Sequence, residues 1–233
     1  MPLVTGLVLG VDACRTGWVG VSLSGDDIRG WHAVTIAELA DAVGAHAVPS
    51  VVAIDIPIGL PSHGPRRADV LARERLGVRR FSVFATLVRE AYEAETYEAA
   101  LEAQQAATGK GMSRQAWGLR HKVLDVDGWL EHPQRIGVVV ECHPELSFAT
   151  MNGGAPVPYG KKTWSGQARR RELLASAGIV VPAEFGDAGT VPPDDVLDAA
   201  AAAWTARRVA EGRAESLPET PERFADRLAA ITF

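Results

Sequence analysis

Hydrophobic residues along the chain form short runs that have no polar face and that end at acidic residues. The run over residues 7–11 is followed by Asp12, the run over residues 51–54 by Asp55, and the run over residues 137–140 by Glu141. Runs that are apolar on both faces are typical of central strands in a covered sheet. The pattern therefore predicts three buried strands with an acid at the carboxyl end of each.

Alternating residues and turn signals predict further elements around these strands. Residues 18–23 and 28–34 are strand candidates that form an antiparallel meander with residues 7–11. Thr35 and Glu38 have the spacing of a helix-capping pair, and the strand that follows this helix is expected to lie parallel to the first. The later predicted elements are a largely helical stretch over 65–131, a strand over 136–142, helices over 167–177 and from 194, and a short amphipathic helix over 221–233.

Length and composition are those of an ordinary globular protein, with 233 residues, 47% hydrophobic and 23% charged. We expect one domain over residues 1–233, in which residues 65–131 form a helical insertion that faces the substrate. Residues 1–4 lack the basic start of a signal peptide, and no run approaches the roughly 20 apolar residues of a membrane helix. The expectation is a cytoplasmic protein without a membrane partner, whose cysteines Cys14 and Cys142 are free thiols.

The net charge of −5 argues against broad electrostatic binding to nucleic acid. Two local groups of basic residues modify that conclusion, although solvated helix faces are an alternative interpretation of both. They comprise Arg66, Arg67, Arg73, Arg75, Arg79 and Arg80 in the first group, and Lys161, Lys162, Arg169, Arg170 and Arg171 in the second.

Ligands of open α/β sheets bind beyond the carboxyl ends of the strands, so we expect Asp12, Asp55 and Glu141 to converge. Carboxylates that are forced together repel one another, and such a cluster needs a divalent cation or shared protons. The competing interpretation is that Asp12 and Asp55 only accept hydrogen bonds from the amides of their own turns.

An Ala-rich helix that begins after Pro192 carries a further set of acids. Asp195 and Asp198 lie three residues apart and therefore share a helix face. Asp194 and Asp195 also fit a simpler role, because acids in the first turn complement the helix dipole. Asp198 has apolar neighbours, among which an unpaired charge would be costly.

Four motifs, taken in order, resemble a known family. They are Asp12 with Gly17-Trp18, Asp55-x-Pro57-x-Gly59-Leu60-Pro61, the segment over residues 141–148, and Asp195-x-x-Asp198-Ala199. From about Leu7 to Ala210 the chain is similar to domain-of-unknown-function family 429, whose members are regarded as predicted ribonuclease H-like nucleases. The resemblance implies an α/β ribonuclease H-like fold, in which helices flank a mixed five-stranded sheet and a helical insertion follows the fourth strand.

The resemblance also implies a chemistry, the hydrolysis of phosphodiester bonds of DNA or RNA at a centre of Mg²⁺ or Mn²⁺. The implied metal ligands are Asp12, Asp55 and Asp198. Glu141 is either a ligand of a second metal or a group that supports the ligands of the first, and Asp195 is a further catalytic acid. His143 points to the same side of its strand as Glu141, where it protonates a leaving group or serves as a structural hydrogen-bond partner. Lys161 and Lys162 are expected to neutralise substrate phosphate.

Two other functions remain open from the sequence. A nucleotide-dependent phosphotransferase would also have an Asp on its first strand, but such proteins duplicate the domain and carry Gly-rich phosphate loops, whereas here only Gly10 and Gly17 flank Asp12. An inactive scaffold that binds a partner is the non-enzymatic alternative. The presence of all the expected acids weighs against it.

Overall fold

The computed structural model describes residues 6–131 and 137–233. Its strands are β1 (Val8–Cys14), β2 (Gly17–Ser24), β3 (Asp27–Ala33), β4 (Val51–Ile54), β5 (Val138–Cys142), β6 (Ser216–Phe224) and β7 (Arg227–Thr232). Its α-helices are α1 (Ile36–His46), α2 (Arg67–Leu76), α3 (Arg89–Glu93), α4 (Tyr97–Thr108), α5 (Arg114–Gly118), α6 (Arg120–Glu131), α7 (Pro144–Met151), α8 (Trp164–Ser176) and α9 (Pro193–Ala210). Short 3-10 helices cover Gly77–Ser82 and Gly186–Thr190.

The strands form one mixed sheet in the order β3-β2-β1-β4-β5-β7-β6. The pairs β1–β4, β4–β5 and β5–β7 are parallel, and β1–β2, β2–β3 and β6–β7 are antiparallel. The meander, the parallel fourth strand and the capping box of Thr35 and Glu38 are confirmed. The strand predicted over 136–142 is β5, and its first predicted residue, Ile136, lies outside the described residues.

Two predictions about the sheet and the C-terminal segment were wrong. The sheet has seven strands in the described part of the chain rather than five, and residues 221–233, predicted to be a helix, belong to the hairpin of β6 and β7. Along β7 the side chains of Ala229 and Ile231 are buried on one side of the strand. β7 pairs with β5, so the open edge of the sheet selects the extended conformation over the helical one.

Alternate residues of the central strands enter hydrophobic clusters on opposite faces of the sheet. Val8 and Ala53 pack with α8 and α9 on one face, and Leu9 and Val52 pack with α1 and α6 on the other. This is why the runs in the sequence have no polar face. No helix within the described ranges is both long and apolar enough to cross a membrane.

Helix α9 lies unusually close to β1 because small residues form the contact. A Cβ placed on Gly10 would come within 1.9 Å of the backbone nitrogen of Ala203. The opposing alanines of α9, from Ala199 to Ala203, are fully buried. This close approach sets Asp198 of α9 over the end of β1.

The residues between β4 and β5 are largely helical, and α6 fixes them to the core. Asp125 of α6 accepts hydrogen bonds from Trp18 Nε1 at 2.7 Å and from the amide of Ile36 at 3.1 Å. Lys122 donates to the carbonyl oxygen of Gly17 at 2.6 Å. The predicted breaks at Gly77 and at residues 108–111 fall at the ends of α2 and α4.

Candidate functional site

A cavity of about 420 Å³ lies at the carboxyl ends of the parallel strands. The core contributes Asp12 of β1 and Asp55, whose amide continues the ladder by donating to Val11 O at 3.0 Å. The first turns of α9, residues 82–86, residues 115–119 and the loop before α8 form the other walls. All the residues predicted for the site line this cavity: Asp12, Asp55, Glu141, His143, Lys161, Lys162, Asp195 and Asp198.

Three carboxylates, those of Asp12, Asp55 and Asp198, act on one another electrostatically. Burial raises the pKa of Asp12 well above its usual range, and the charges of Asp55 and Asp198 raise it further. Burial also raises the pKa of Asp198, to about 6, against the opposing charge of Lys161. Asp12 and Asp198 are almost inaccessible to solvent, so their repulsion is poorly screened.

Lys161 supplies the positive charge among these acids. Its Nζ lies 2.6 Å from Asp198 Oδ2. Burial alone would lower the pKa of this ammonium, but Asp198 and Asp12 outweigh that effect and raise it. Lys162 is exposed at the cavity edge, where its charge acts on Asp195. Lys161 is therefore permanently charged and holds one oxygen of the buried Asp198.

The donor chemistry of the cavity fits a hard divalent cation. Oδ1 of Asp198 is buried without a hydrogen-bond partner, and so is Oε2 of Glu145. Buried carboxylate oxygens without partners are uncommon, and Mg²⁺ and Mn²⁺ prefer oxygen ligands of this kind. In the described part of the chain no three His, Cys, Asp or Glu side chains are already spaced as a metal site. The ammonium of Lys161 offsets the charge of the carboxylates of Asp198 and Asp12.

The two acids at the start of α9 differ in exposure. Asp194 is buried and Asp195 is partly exposed, and both line the cavity. Burial raises the pKa of Asp195, and the neighbouring charge of Asp194 adds to the rise. The sequence favours Asp195 over Asp194 as a site residue, whereas the structure brings both to the cavity wall.

His143 connects Asp55 to a serine that the sequence does not single out. Its Nδ1 lies 3.3 Å from Asp55 Oδ1, and its Nε2 lies 3.2 Å from the hydroxyl of Ser82. Burial lowers the pKa of His143, but the hydrogen bond and the charge of Asp55 outweigh it, and the pKa is raised. Ser82 lies 61 residues before His143 and has no sequence signature of its own, so only the tertiary fold reveals the contact.

Glu141 does not join the three carboxylates that face Lys161. Its two oxygens accept hydrogen bonds from the guanidinium of Arg66, and Oε2 also accepts one from the amide of Ile58 at 2.7 Å. Arg66 is fully buried and pairs with Asp69 as well. Glu141, expected to be a metal ligand, is thus engaged by a protein cation and fixes the segment after β4. Arg66, for its part, cannot contribute to a basic surface.

The cysteines are free thiols, as predicted, and both are buried. Burial raises the pKa of Cys142 well above its usual value, and the neighbouring carboxylates add to that shift. An activated thiol has the opposite shift. The reactive groups of the cavity are therefore its carboxylates, His143, Ser82 and the lysines.

Comparison with known proteins assigns the chain to a family. No curated protein and no solved structure matches the chain. A family model described as "Protein of unknown function (DUF429)" matches residues 10–223, a range that contains the four motifs and every residue of the candidate site. The chain belongs to the DUF429 family.

Proposed function

We propose that this protein is a ribonuclease H-like, metal-dependent nuclease that hydrolyses phosphodiester bonds of DNA or RNA. One observation carries the proposal: buried carboxylates from β1, from the end of β4 and from α9 converge on one cavity together with the ammonium of Lys161. The strand order β3-β2-β1-β4-β5, with α9 packed against β1, supports the comparison with ribonuclease H-like proteins. The additional hairpin of β6 and β7 extends that sheet beyond β5.

The residues have separate roles in this proposal. Asp12, Asp55 and Asp198 would hold Mg²⁺ or Mn²⁺, and Glu141 is left out because Arg66 engages both of its oxygens. A bound divalent cation would supply charge stabilisation at the attacked phosphate and at the leaving oxygen. Lys161 can exchange its contact with Asp198 for one with the phosphate, since a flexible ammonium binds phosphate as a point charge.

His143 is suited to two tasks at the cavity wall. Its contact with Asp55 orients that carboxylate. Because its pKa is raised, it carries a proton at a higher pH than an ordinary histidine does, and it can deliver that proton to a leaving oxygen. Lys162 lies beside Asp195 at the cavity edge, where its ammonium can neutralise part of the charge of an entering phosphate.

Cleavage of labelled oligonucleotides tests the proposal. We expect wild-type protein to cleave a DNA or RNA strand in Mn²⁺ or Mg²⁺, with complete loss in EDTA. Asp12→Asn should lower the rate by more than about 100-fold, since the loss of residues that only orient metal ligands already costs about 10–100-fold. Asp41→Asn removes an exposed acid of α1 outside the cavity and should leave the rate unchanged. Full cleavage by Asp12→Asn would overturn the proposed site.

A second candidate function rests on the contacts of Ser82, His143 and Asp55. Their order, Ser Oγ to His Nε2 and His Nδ1 to the carboxylate, is that of a hydrolytic triad. A metal-independent serine hydrolase would be labelled at Ser82 by a fluorophosphonate probe, and Ser82→Ala would lose the label. We rank this function second because it leaves the buried pair of Asp198 and Lys161 without a role.

A further inference from the structure

Each exposed aromatic residue of this protein either lines the cavity or lies within two positions along the chain of a residue that does. Trp164 is 86% exposed, Phe81 78%, Tyr159 51% and Phe84 38%. Every other Phe, Trp and Tyr is buried or half-buried, and all of them lie within the described residues. Exposed hydrophobic residues that are scattered singly are normal, whereas a cluster at a cavity marks a binding surface. We call these four residues the aromatic rim.

The two segments that carry the aromatic rim are joined to each other. Arg79 donates from Nε to the carbonyl oxygen of Val157 at 3.1 Å, and from Nη2 to that of Pro158 at 2.6 Å. Phe81 and Phe84 follow Arg79 closely, and Tyr159 follows Pro158. Phe84 and the loop residue Lys161 both line the cavity. The two segments that carry the rim therefore meet beside the cavity.

The backbone that carries the most exposed ring, that of Trp164, is held by a helix cap and by close packing. Trp164 is the first residue of α8, whose cap Thr163 accepts a hydrogen bond from the amide of Gly166 at 3.1 Å. A Cβ on Gly166 would come within 1.9 Å of the carbonyl oxygen of Gly160, so the loop before α8 is packed tightly against that helix. A solvent-facing indole on a fixed backbone is suited to stacking on a flat ligand.

Charge and cavity size identify the ligand. The guanidinium of Arg80 lies 4.9 Å from the centre of the Phe81 ring, and Lys162 is exposed at the cavity edge. Proteins that bind single strands combine cations for the phosphates with aromatic rings for the bases. A cavity of about 420 Å³ has the size of a small-ligand site, and Asp12 and Asp198 are buried within it. A cavity of this size admits a single nucleotide, whereas a duplex is too large to enter it.

We propose that the substrate is single-stranded nucleic acid, whose bases stack on the aromatic rim while one phosphate enters the cavity. This inference rests on the proposed nuclease function and specifies its substrate class. Phe81 and Trp164 provide the stacking surfaces, and Arg80 and Lys162 the contacts with neighbouring phosphates. A duplex binds more weakly, because its base faces are stacked on one another and are not available to the rings of the rim.

Fluorescence anisotropy with a labelled oligothymidylate of 12 nucleotides, in EDTA, measures this binding without cleavage. The wild-type affinity should exceed the affinity for the matched duplex by at least tenfold. Trp164→Ala and Phe81→Ala should each weaken single-strand binding by roughly 10- to 100-fold, as expected for one stacked base. Trp164→Phe should recover most of the loss. Val180→Ala, at a 67% exposed hydrophobic residue outside the cavity, should bind like wild type.

The possible results separate this inference from the proposed nuclease function. Equal binding of the duplex, an unchanged affinity in Trp164→Ala, or no binding of any strand by wild type would each overturn the aromatic rim as a single-strand site. Self-association that Trp164→Ala abolishes would identify the rim as an interface between copies and would also overturn it. Metal-dependent cleavage that persists in Trp164→Ala at wild-type efficiency would support the nuclease function and would overturn the role of the aromatic rim in binding the substrate.

Discussion

Asp12 lies where its surroundings destabilise the charged form of its carboxyl group. Burial raises its pKa, the carboxylates of Asp55 and Asp198 act in the same direction, and the charge of Lys161 opposes them. An acid whose pKa is higher in the folded state binds protons more tightly there than in the unfolded chain. Its stabilising contribution is complete below the ordinary carboxyl pKa and is lost as the pH rises through the folded-state value.

We therefore expect Asp12→Asn to raise the melting temperature in metal-free buffer, and to raise it more at pH 8 than at pH 5. Because the pKa of Asp12 is raised, a larger fraction of the folded wild-type protein has this group neutral at pH 5 than at pH 8, so the amide changes less at pH 5. At pH 8 the wild type bears more of the buried charge, and the variant is relieved of it. The gain should reach several degrees, at about 2–4 °C per kcal/mol for a chain of this size. Calorimetric scans of both proteins at the two pH values measure it.

Asp41→Asn is the control for Asp12→Asn because it removes an exposed carboxylate of α1. Its melting temperature should follow wild type at both pH values. A gain in Asp12→Asn that is equal at pH 5 and pH 8 would contradict a raised pKa at Asp12.

Sequence patterns are sufficient to find the acids of the cavity, because these acids lie at strand ends and on one helix face, and such positions bring them to the same edge of the sheet. They are not sufficient to find the partners of those acids. Arg66 reaches Glu141 across 75 positions, and Ser82 reaches His143 across 61. Such contacts depend on how the residues between β4 and β5 fold back on the sheet, for which no local pattern exists.

At the scale of elements, the contact between α9 and β1 controls the site. The Gly10 backbone lies against Ala199 and Ala203 of α9, and the same turn of the helix carries Asp198. Any side chain on Gly10 would displace α9 from the sheet. The close packing therefore positions the carboxylates of Asp12 and Asp198 as well as stabilising the core.

Gly10→Ala tests this coupling between packing and site. The added methyl group meets backbone atoms, which cannot rotate away, so we expect destabilisation at or beyond the upper end of roughly 1–3 kcal/mol. We also expect most of the metal-dependent activity to be lost in the fraction that folds. Urea unfolding and the oligonucleotide assay measure the two effects.

Gly44→Ala is the matched control, because it adds the same methyl group at a helix position where there is space for it. No atom lies within 4 Å of a Cβ at Gly44 of α1, so the substitution should stabilise the protein by up to about 1 kcal/mol through helix propensity. Equal stability of Gly10→Ala and Gly44→Ala would show that α9 tolerates a wider separation from β1 than the structure indicates.

Local sequence patterns predict some of these elements and not others. β1, β4 and α9 follow from strongly apolar runs and a clear helix start. The hairpin of β6 and β7 does not, because residues 227–233 contain apolar side chains at spacings that also fit a helix turn. Pairing of Ile231 with Glu141 of β5 decides the outcome, and that contact is absent from any local window.

At the scale of the whole molecule, the residues between β4 and β5 form the outer walls of the cavity. Ser82 to Thr86 line it together with Gln115, Ala116 and Leu119, so its shape depends on how this stretch is held against the sheet. Asp125 provides that attachment through the indole of Trp18 and the amide of Ile36. Trp18 is fully buried, so the loss of its acceptor would leave an unsatisfied donor.

We expect Asp125→Ala to loosen α3–α6 while the sheet stays folded. Hydrogen exchange followed by mass spectrometry should show faster exchange over residues 89–131 and unchanged exchange over β1 and β4, because this opening is sub-global. The stability cost should be about 1–3 kcal/mol for the donors left without a partner. The Michaelis constant for an oligonucleotide should rise, since the cavity walls no longer hold one position.

Asp127→Ala distinguishes attachment to the core from stability within the helices themselves. Asp127 lies two residues further along α6 and pairs with Arg89 at 2.7 Å, so its contact joins α6 to α3 and does not reach the sheet. Its loss should speed exchange mainly in Arg89–Glu93. Identical exchange patterns in the two variants would mean that Asp125 contributes only to helix packing. Faster exchange in β1 with Asp125→Ala would mean that the helices and the sheet unfold as one unit, and that the cavity wall is as rigid as the core.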